Sequence, residues 1–191
     1  MPFELRPDMP EEGWQMSELE AGGHSDRVEQ HLYRVAERDG FPMMVPGFLP
    51  KTHLALSLGE FARDRGESSH IAVHHAIFGA YFGKGLDIGS RDVLLQIAEE
   101  EGLAAEEVGK MWQEGAYDER LKQFRHVAIH MGLDSTPAAL ICDELHIGSR
   151  PYQVFRDSVD HCLDGAEEEP NVETGAGAAG EGHSPEGRPE L

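Results

Sequence analysis

The residues of this chain best suited to covalent chemistry are its two cysteines, Cys142 and Cys162. A dithiol that exchanges disulfides usually has two cysteines separated by two residues at a helix start, where the helix end helps form the thiolate. No Cys-x-x-Cys occurs in the 191 residues. Cys142 falls on an expected buried strand and Cys162 at the end of the expected last helix. Both therefore read as packing residues or incidental thiols. A disulfide between them needs close Cα atoms, which sequence does not supply.

Eleven histidines offer a second chemistry. His70 and His74 are four apart on one expected helix, as are His126 and His130 on another, so each pair can share a face. Were the two faces to meet, four nitrogens could hold a metal. Against that, no carboxylate stands at the spacing of a di-metal bundle. Solvent-facing or capping histidines are the expectation, and no metal is assigned. Trp14, Trp112, Phe78, Tyr81 and Phe82 are read as core or rim aromatics.

The most structured local signal is Met131 to Phe155. It gives a helix end, Thr136-Pro137, an apolar strand over Ala138 to Cys142, a turn at Asp143-Glu144, a second strand over Leu145 to Ile147, and a helix opened by Pro151 and running to Leu163. Ahead of it the pattern is helical. Phe3 to Leu5 is a short extended segment between prolines, and Pro7 to Gly23 is loop. Ser25 caps a helix to about Asp39, with Val28, Leu32, Val35 and Ala36 on one face. Phe41 to Pro50 is a proline-rich connector. Thr52 to Arg65 is a helix with Leu54, Ala55, Leu58, Phe61 and Ala62 as its buried stripe. Ser69 to Phe82 is another, apolar through Ile71, Phe78 and Phe82. Asp87 to Ser90 caps a helix carrying Val93, Leu94, Ile97 and Ala98, which Gly102 stops. Ala104 to Gly115 and Ala116 to His130 complete the run.

The net charge of −20 is unevenly divided. Asp164 to Leu191 has eight acidic residues and one Arg, or −7; the rest has 28 acidic against 15 basic residues, or −13. A surface this negative repels phosphate backbones and anionic lipid, which argues against nucleic-acid and membrane binding. No apolar run is long enough to span a bilayer, and the N-terminus lacks a signal peptide's basic and apolar regions, so a cytoplasmic location is expected. The stretch from Gly165 to Leu191, acidic and rich in Gly and Pro, is expected to be disordered.

Four segments carry a family resemblance: FELRPDMPEEG from Phe3, LPKTHLALSLGEFARDRG from Leu49, AIFGAYFGKGLDIGSRDVLLQIAEEEGL from Ala76, and the block from STPAALI to RPYQVF. Together they resemble the DsbA-like thioredoxin family, in particular its FrnE-type branch, which is related to 2-hydroxychromene-2-carboxylate isomerases and kappa-class glutathione transferases. The resemblance implies an α/β, thioredoxin-like fold with a large all-helical insertion at about 40–132, a closing strand-strand-helix at about 136–163, and one domain over 1–164 before the acidic tail at 165–191.

It also implies a thiol–disulfide oxidoreductase in which a thiolate attacks a substrate disulfide. Thr136-Pro137 occupies the family's cis-proline position, where a proline fits tightly against the dithiol and the preceding backbone can pair with an extended substrate or with glutathione. Lys51 stands where relatives have the Asn of a Pro-Asn-Thr motif, and Ser149 near a serine; both positions contact glutathione in the transferase-like branch. Ser149 reads equally well as a helix cap. The first strand, the dithiol and the helix behind it would precede Met1, so the chain is expected to be N-terminally truncated and inactive as it stands. Deleting a central strand would otherwise expose apolar surface at about 25 cal/mol per Å², against domain stabilities of about 5–15 kcal/mol.

The implied partners are a thiol or disulfide protein or peptide, or glutathione; a homodimer could form over apolar surface left exposed. Two other functions fit the same residues. One is a glutathione-dependent isomerase or transferase with a serine in place of the first cysteine. The other is a non-catalytic interaction protein that uses the insertion helices.

Overall fold

The computed structural model describes residues 2–16, 26–44 and 46–166. Ser25, residues 17–23 of the expected loop before it and the tail beyond Ala166 lie outside the described residues. The described chain forms two compact units, Met1–Thr136 and one beginning at Pro137.

The first unit is mostly helical: α1 (Asp26–Asp39), α2 (His53–Arg63), α3 (Glu67–Phe78), α4 (Arg91–Glu100), α5 (Ala105–Gln113) and α6 (Asp118–His130), with a π-helical turn at Gly79–Gly83 after α3. Its strands are minimal. β1 (Trp14–Gln15) and β2 (Phe48–Leu49) pair antiparallel, with Trp14 opposite Leu49 and Gln15 opposite Phe48. Both fall in stretches expected to be loop or connector. Gly13, at φ +70°, turns the chain into β1, and a side chain there would overlap the Leu49 carbonyl oxygen. Only glycine meets both demands without strain. Phe3 to Leu5 forms no strand.

The core sits where α2, α3, α4 and α5 converge. Ala55, Leu58, Phe61 and Ala62 on α2 meet Leu94, Ile97 and Ala98 on α4, with Val108 and Met111 from α5. This is the stripe that helical spacing predicts for α2 and α4. On α3 the expected face is wrong. Ile71 and Phe78 are 46% and 51% exposed, while Val73, Ile77, Ala80 and Tyr81 are buried. Those buried residues also recur at helical spacing, so periodicity alone permitted either stripe; the contact with α2 selects one. The π-turn then carries Ala80 and Tyr81 inward, and the Tyr81 hydroxyl donates to the Phe48 carbonyl at 2.7 Å. Trp112 likewise buries its ring edge and donates from Nε1 to the Leu54 carbonyl at 3.2 Å.

A carboxylate is buried beside this core. Glu60, with its side chain 1% exposed, is held by Arg63 at 2.9 Å and Arg120 at 3.3 Å. Arg120 also reaches Asp64 at 2.8 Å, and the Tyr117 hydroxyl donates to the same carboxylate. Arg120 and Tyr117 thereby hold the Asp64 carboxyl below its ordinary pKa, while burial and that hydrogen bond push Tyr117 up to about 12.

The second unit is a hairpin and a helix. β3 (Ala138–Ile141) pairs antiparallel with β4 (Glu144–Ile147), and α7 (Tyr152–Ala166) follows. The hairpin and helix match the expected closing block, but the turn is Cys142-Asp143 rather than Asp143-Glu144. Cys142 is thus off the strand, exposed, and at φ 52°. No helix among the described residues is long and apolar enough to cross a membrane.

Candidate functional site

The segment that delivers Lys51, Thr52 and His53 to the start of α2 passes close to Gly89, where a side chain would crowd the Lys51 backbone at 3.1 Å. Lys51, His53 and Gly89 line a cavity of about 710 Å³ within the first unit. The N-terminal segment contributes Glu4, Pro7 and Glu11 to its wall; α6 contributes Asp118, Lys122, Arg125, His126, Ile129 and His130.

His53 is the charged centre of this wall. Its Nδ1 lies 3.2 Å from Glu4 Oε2 and its Nε2 lies 3.1 Å from Asp118 Oδ1. Two carboxylate oxygens can both be satisfied only if both ring nitrogens carry a proton. The hydrogen bond to Glu4, joined by that to Asp118, raises the imidazole pKa to about 8 against the opposing effect of burial. The other Glu4 oxygen, Oε1, is buried with no hydrogen-bond partner among the described residues.

Lys51, the expected glutathione-side residue, does line the cavity, and its Nζ pairs with Glu11 Oε1 at 2.6 Å. That hydrogen bond raises its pKa, so it is a cation in the cavity wall at neutral pH. Along α6, Lys122, Arg125, His126 and His130 add further cationic or protonatable groups to the same wall. The cavity can therefore take a ligand with anionic groups for Lys51 and the α6 face.

The histidine pairs are occupied locally. His70 Nδ1 donates to the Gly59 carbonyl at 3.0 Å, and Arg63 donates to its Nε2. His126 and His130 stack at 4.7 Å between ring centroids, and His130 Nδ1 donates to the His126 carbonyl. Among the described residues no group of three or more His, Cys, Asp or Glu could hold a metal ion.

Thr136 ends the first unit and Pro137 opens the second, and both are exposed. The Pro137 carbonyl accepts from the Gly148 N–H at 2.8 Å, which brings Pro137 beside the turn containing Ser149. Ser149 itself is exposed.

The cysteines depart from expectation. Cys142 and Cys162 are bonded to each other, with Cα atoms 6.1 Å apart, and no free cysteine remains. They are neither packing residues nor incidental thiols. The hairpin reverses the chain and α7 runs back past it, so residues distant in sequence become neighbours. Spacing along the chain carries no sign of this.

Residues 1–160 match the family model for the DSBA-like thioredoxin domain. The chain belongs to that family. Two solved structures share the fold of this DsbA-like chain. A probable DsbA oxidoreductase from Streptomyces coelicolor is 23% identical with a TM-score of 0.74, over 93% of this chain and 79% of that one. A 2-hydroxychromene-2-carboxylate isomerase is 19% identical with a TM-score of 0.62, over 83% of each chain. No curated protein matches in sequence. The DsbA-like thioredoxin fold expected from the four sequence segments is thus the fold observed, mostly helical with a few short strands.

Glu4, His53 and Asp118 are absent from the sequence-based candidates: they lie 49 and 65 positions apart along the chain, and no motif links them.

Proposed function

We propose that this chain is the substrate-facing part of a cytoplasmic, FrnE-type thiol–disulfide oxidoreductase, and that alone it catalyses no dithiol-dependent reduction. The family match over residues 1–160, in a chain without a Cys-x-x-Cys, is the observation that carries this reading. Thr136 and Pro137 are its contacts for an extended peptide, whose backbone pairs beside the proline. A proline lacks an N–H and restricts its neighbour to extended backbone, which suits a peptide laid alongside. The thiolate that attacks the substrate disulfide is supplied by a Cys-x-x-Cys segment not contained in these residues.

A titration tests the binding half without needing turnover. A disulfide-containing peptide should bind the chain with an affinity that Thr136→Arg lowers by about tenfold or more. Because Thr136 is exposed, the fold should survive the change. Equal affinity for both proteins would remove Thr136 from the binding surface.

A second reading, a glutathione-dependent isomerase or transferase, is favoured by the position of Lys51 on the cavity. Glutathione carries carboxylates for Lys51 and the α6 cations. Saturable glutathione binding that Lys51→Ala weakens, with no binding of disulfide peptides, would select this reading over the first.

A further inference from the structure

We propose that Cys142 and Cys162 form a reversible redox site, exchanged by low-molecular-weight thiols, whose oxidation state sets whether the closing hairpin and α7 hold together. The site is separate from the dithiol of the proposed function and does not depend on that reading.

The first support is how little else holds the second unit together. Among its residues with described side chains, Ser158 alone is buried, at 8% exposure. Apolar residues on both of its elements stay open: Leu140 is 51% exposed, Val159 42% and Leu163 61%. A hairpin with one helix and so small a core is the kind of scaffold that needs a covalent or polar staple. The polar staple is Ser158, whose hydroxyl donates to Glu144 Oε2 at 2.6 Å and lies 2.9 Å from His146 Nε2. The covalent staple is Cys142–Cys162, which ties the hairpin turn to the last turns of the same helix.

The second support is access. Cys142 is exposed at the tip of the turn, and Cys162 is half-buried. An incoming thiolate can therefore reach Cys142 Sγ, and exposed disulfides are the labile ones. In the first step the thiolate sulfur bonds to Cys142 Sγ, the Cys142–Cys162 bond breaks, and its electron pair leaves with Cys162 as a thiolate. A second small-molecule thiolate attacks the mixed disulfide, releasing Cys142 as a thiolate and a small-molecule disulfide. Two thiols are oxidised and one protein disulfide is reduced. The reverse sequence, driven by a small-molecule disulfide such as oxidised glutathione, restores the bond. Asp143 and Glu144 follow Cys142, and Asp160 and Asp164 flank Cys162. Their charge opposes anionic thiols, so a neutral thiol such as 2-mercaptoethanol should react faster than glutathione at low salt, and added salt should narrow the difference.

The test uses the full chain equilibrated in reduced and oxidised glutathione buffers, with intact mass and non-reducing digestion to read the bond and amide hydrogen exchange to read order. The oxidised chain should yield one linked peptide pair containing Cys142 and Cys162. On reduction, exchange across 138–166 should accelerate by up to about 100-fold, the scale expected for opening a loop of this length, while 53–130 stays unchanged. The Cys142→Ser, Cys162→Ser double variant should show the reduced pattern in either buffer, with the first unit as its internal check on folding. The proposal is overturned if both thiols stay free in oxidised buffer, if only links between chains form, or if exchange across 138–166 is the same in both states.

Discussion

His53 Nδ1 lies 3.2 Å from Glu4 Oε2 and thereby joins the start of α2 to the N-terminal segment. With Nε2 on Asp118 at 3.1 Å, one imidazolium holds together three of the segments that wall the cavity. The clamp should depend on pH. Its pKa is raised from 6.5 to about 8, so the folded state binds the proton more tightly than the unfolded chain. The stabilisation is complete below about pH 6.5 and is lost as pH rises through about 8.

Urea denaturation of the native chain and His53→Gln across pH 5.5–9 checks this. The native chain should be more stable by about 1–2 kcal/mol at the acid end, with the difference shrinking toward zero above about pH 8. A difference independent of pH would show that packing, not charge, is the contribution of His53.

The buried Glu60 gives a second prediction. Removing its carboxylate leaves Arg63 without one partner and Arg120 with Asp64 alone. Glu60→Ala should cost about 1–3 kcal/mol, because its buried site loses contacts while both arginines, 44% and 38% exposed, can turn to water. Glu60→Gln, which keeps the shape and some hydrogen bonding, should cost less. Chemical denaturation of the three proteins orders them.

Gly13 positions β1 against β2 and so places the neighbouring Glu11 near Lys51. Gly13→Ala combines a positive φ with overlap of the Leu49 carbonyl oxygen. It should destabilise the first unit by about 2 kcal/mol or more and accelerate amide exchange in residues 10–16 and 46–50.

The α3 face separates sequence from structure most clearly. Ile77→Ala, on the buried stripe of α3, should cost about 2–5 kcal/mol; Ile71→Ala, on the exposed stripe, should cost within about 0.5 kcal/mol. Thermal melts of the two variants would expose any error in which face is buried.

These elements mark how far sequence reading reached. Helices α2 and α4 were legible because their apolar residues form one stripe with few rivals, and the expected stop of α4 at Gly102 takes a positive φ. Helix α3 has two competing stripes, and only its contact with α2 decides between them. The hairpin was legible from its two short apolar runs, yet the turn slipped by one residue because Cys142 adopts a left-handed conformation that its residue type does not announce. Lys51 and the Thr136-Pro137 pair could be named from family motifs. The Glu4–His53–Asp118 clamp and the Cys142–Cys162 bond could not, because both join residues by the path of the chain rather than by spacing.

Insulin disulfide reduction in dithiothreitol, followed by turbidity, tests the central claim most directly, using the native chain and the Cys142→Ser, Cys162→Ser double variant. The proposed function predicts that the double variant leaves the rate at that of dithiothreitol alone, with no dithiol-dependent turnover by the native chain. Enzyme-dependent precipitation above the rate of dithiothreitol alone, by the native chain or by the double variant, would contradict it.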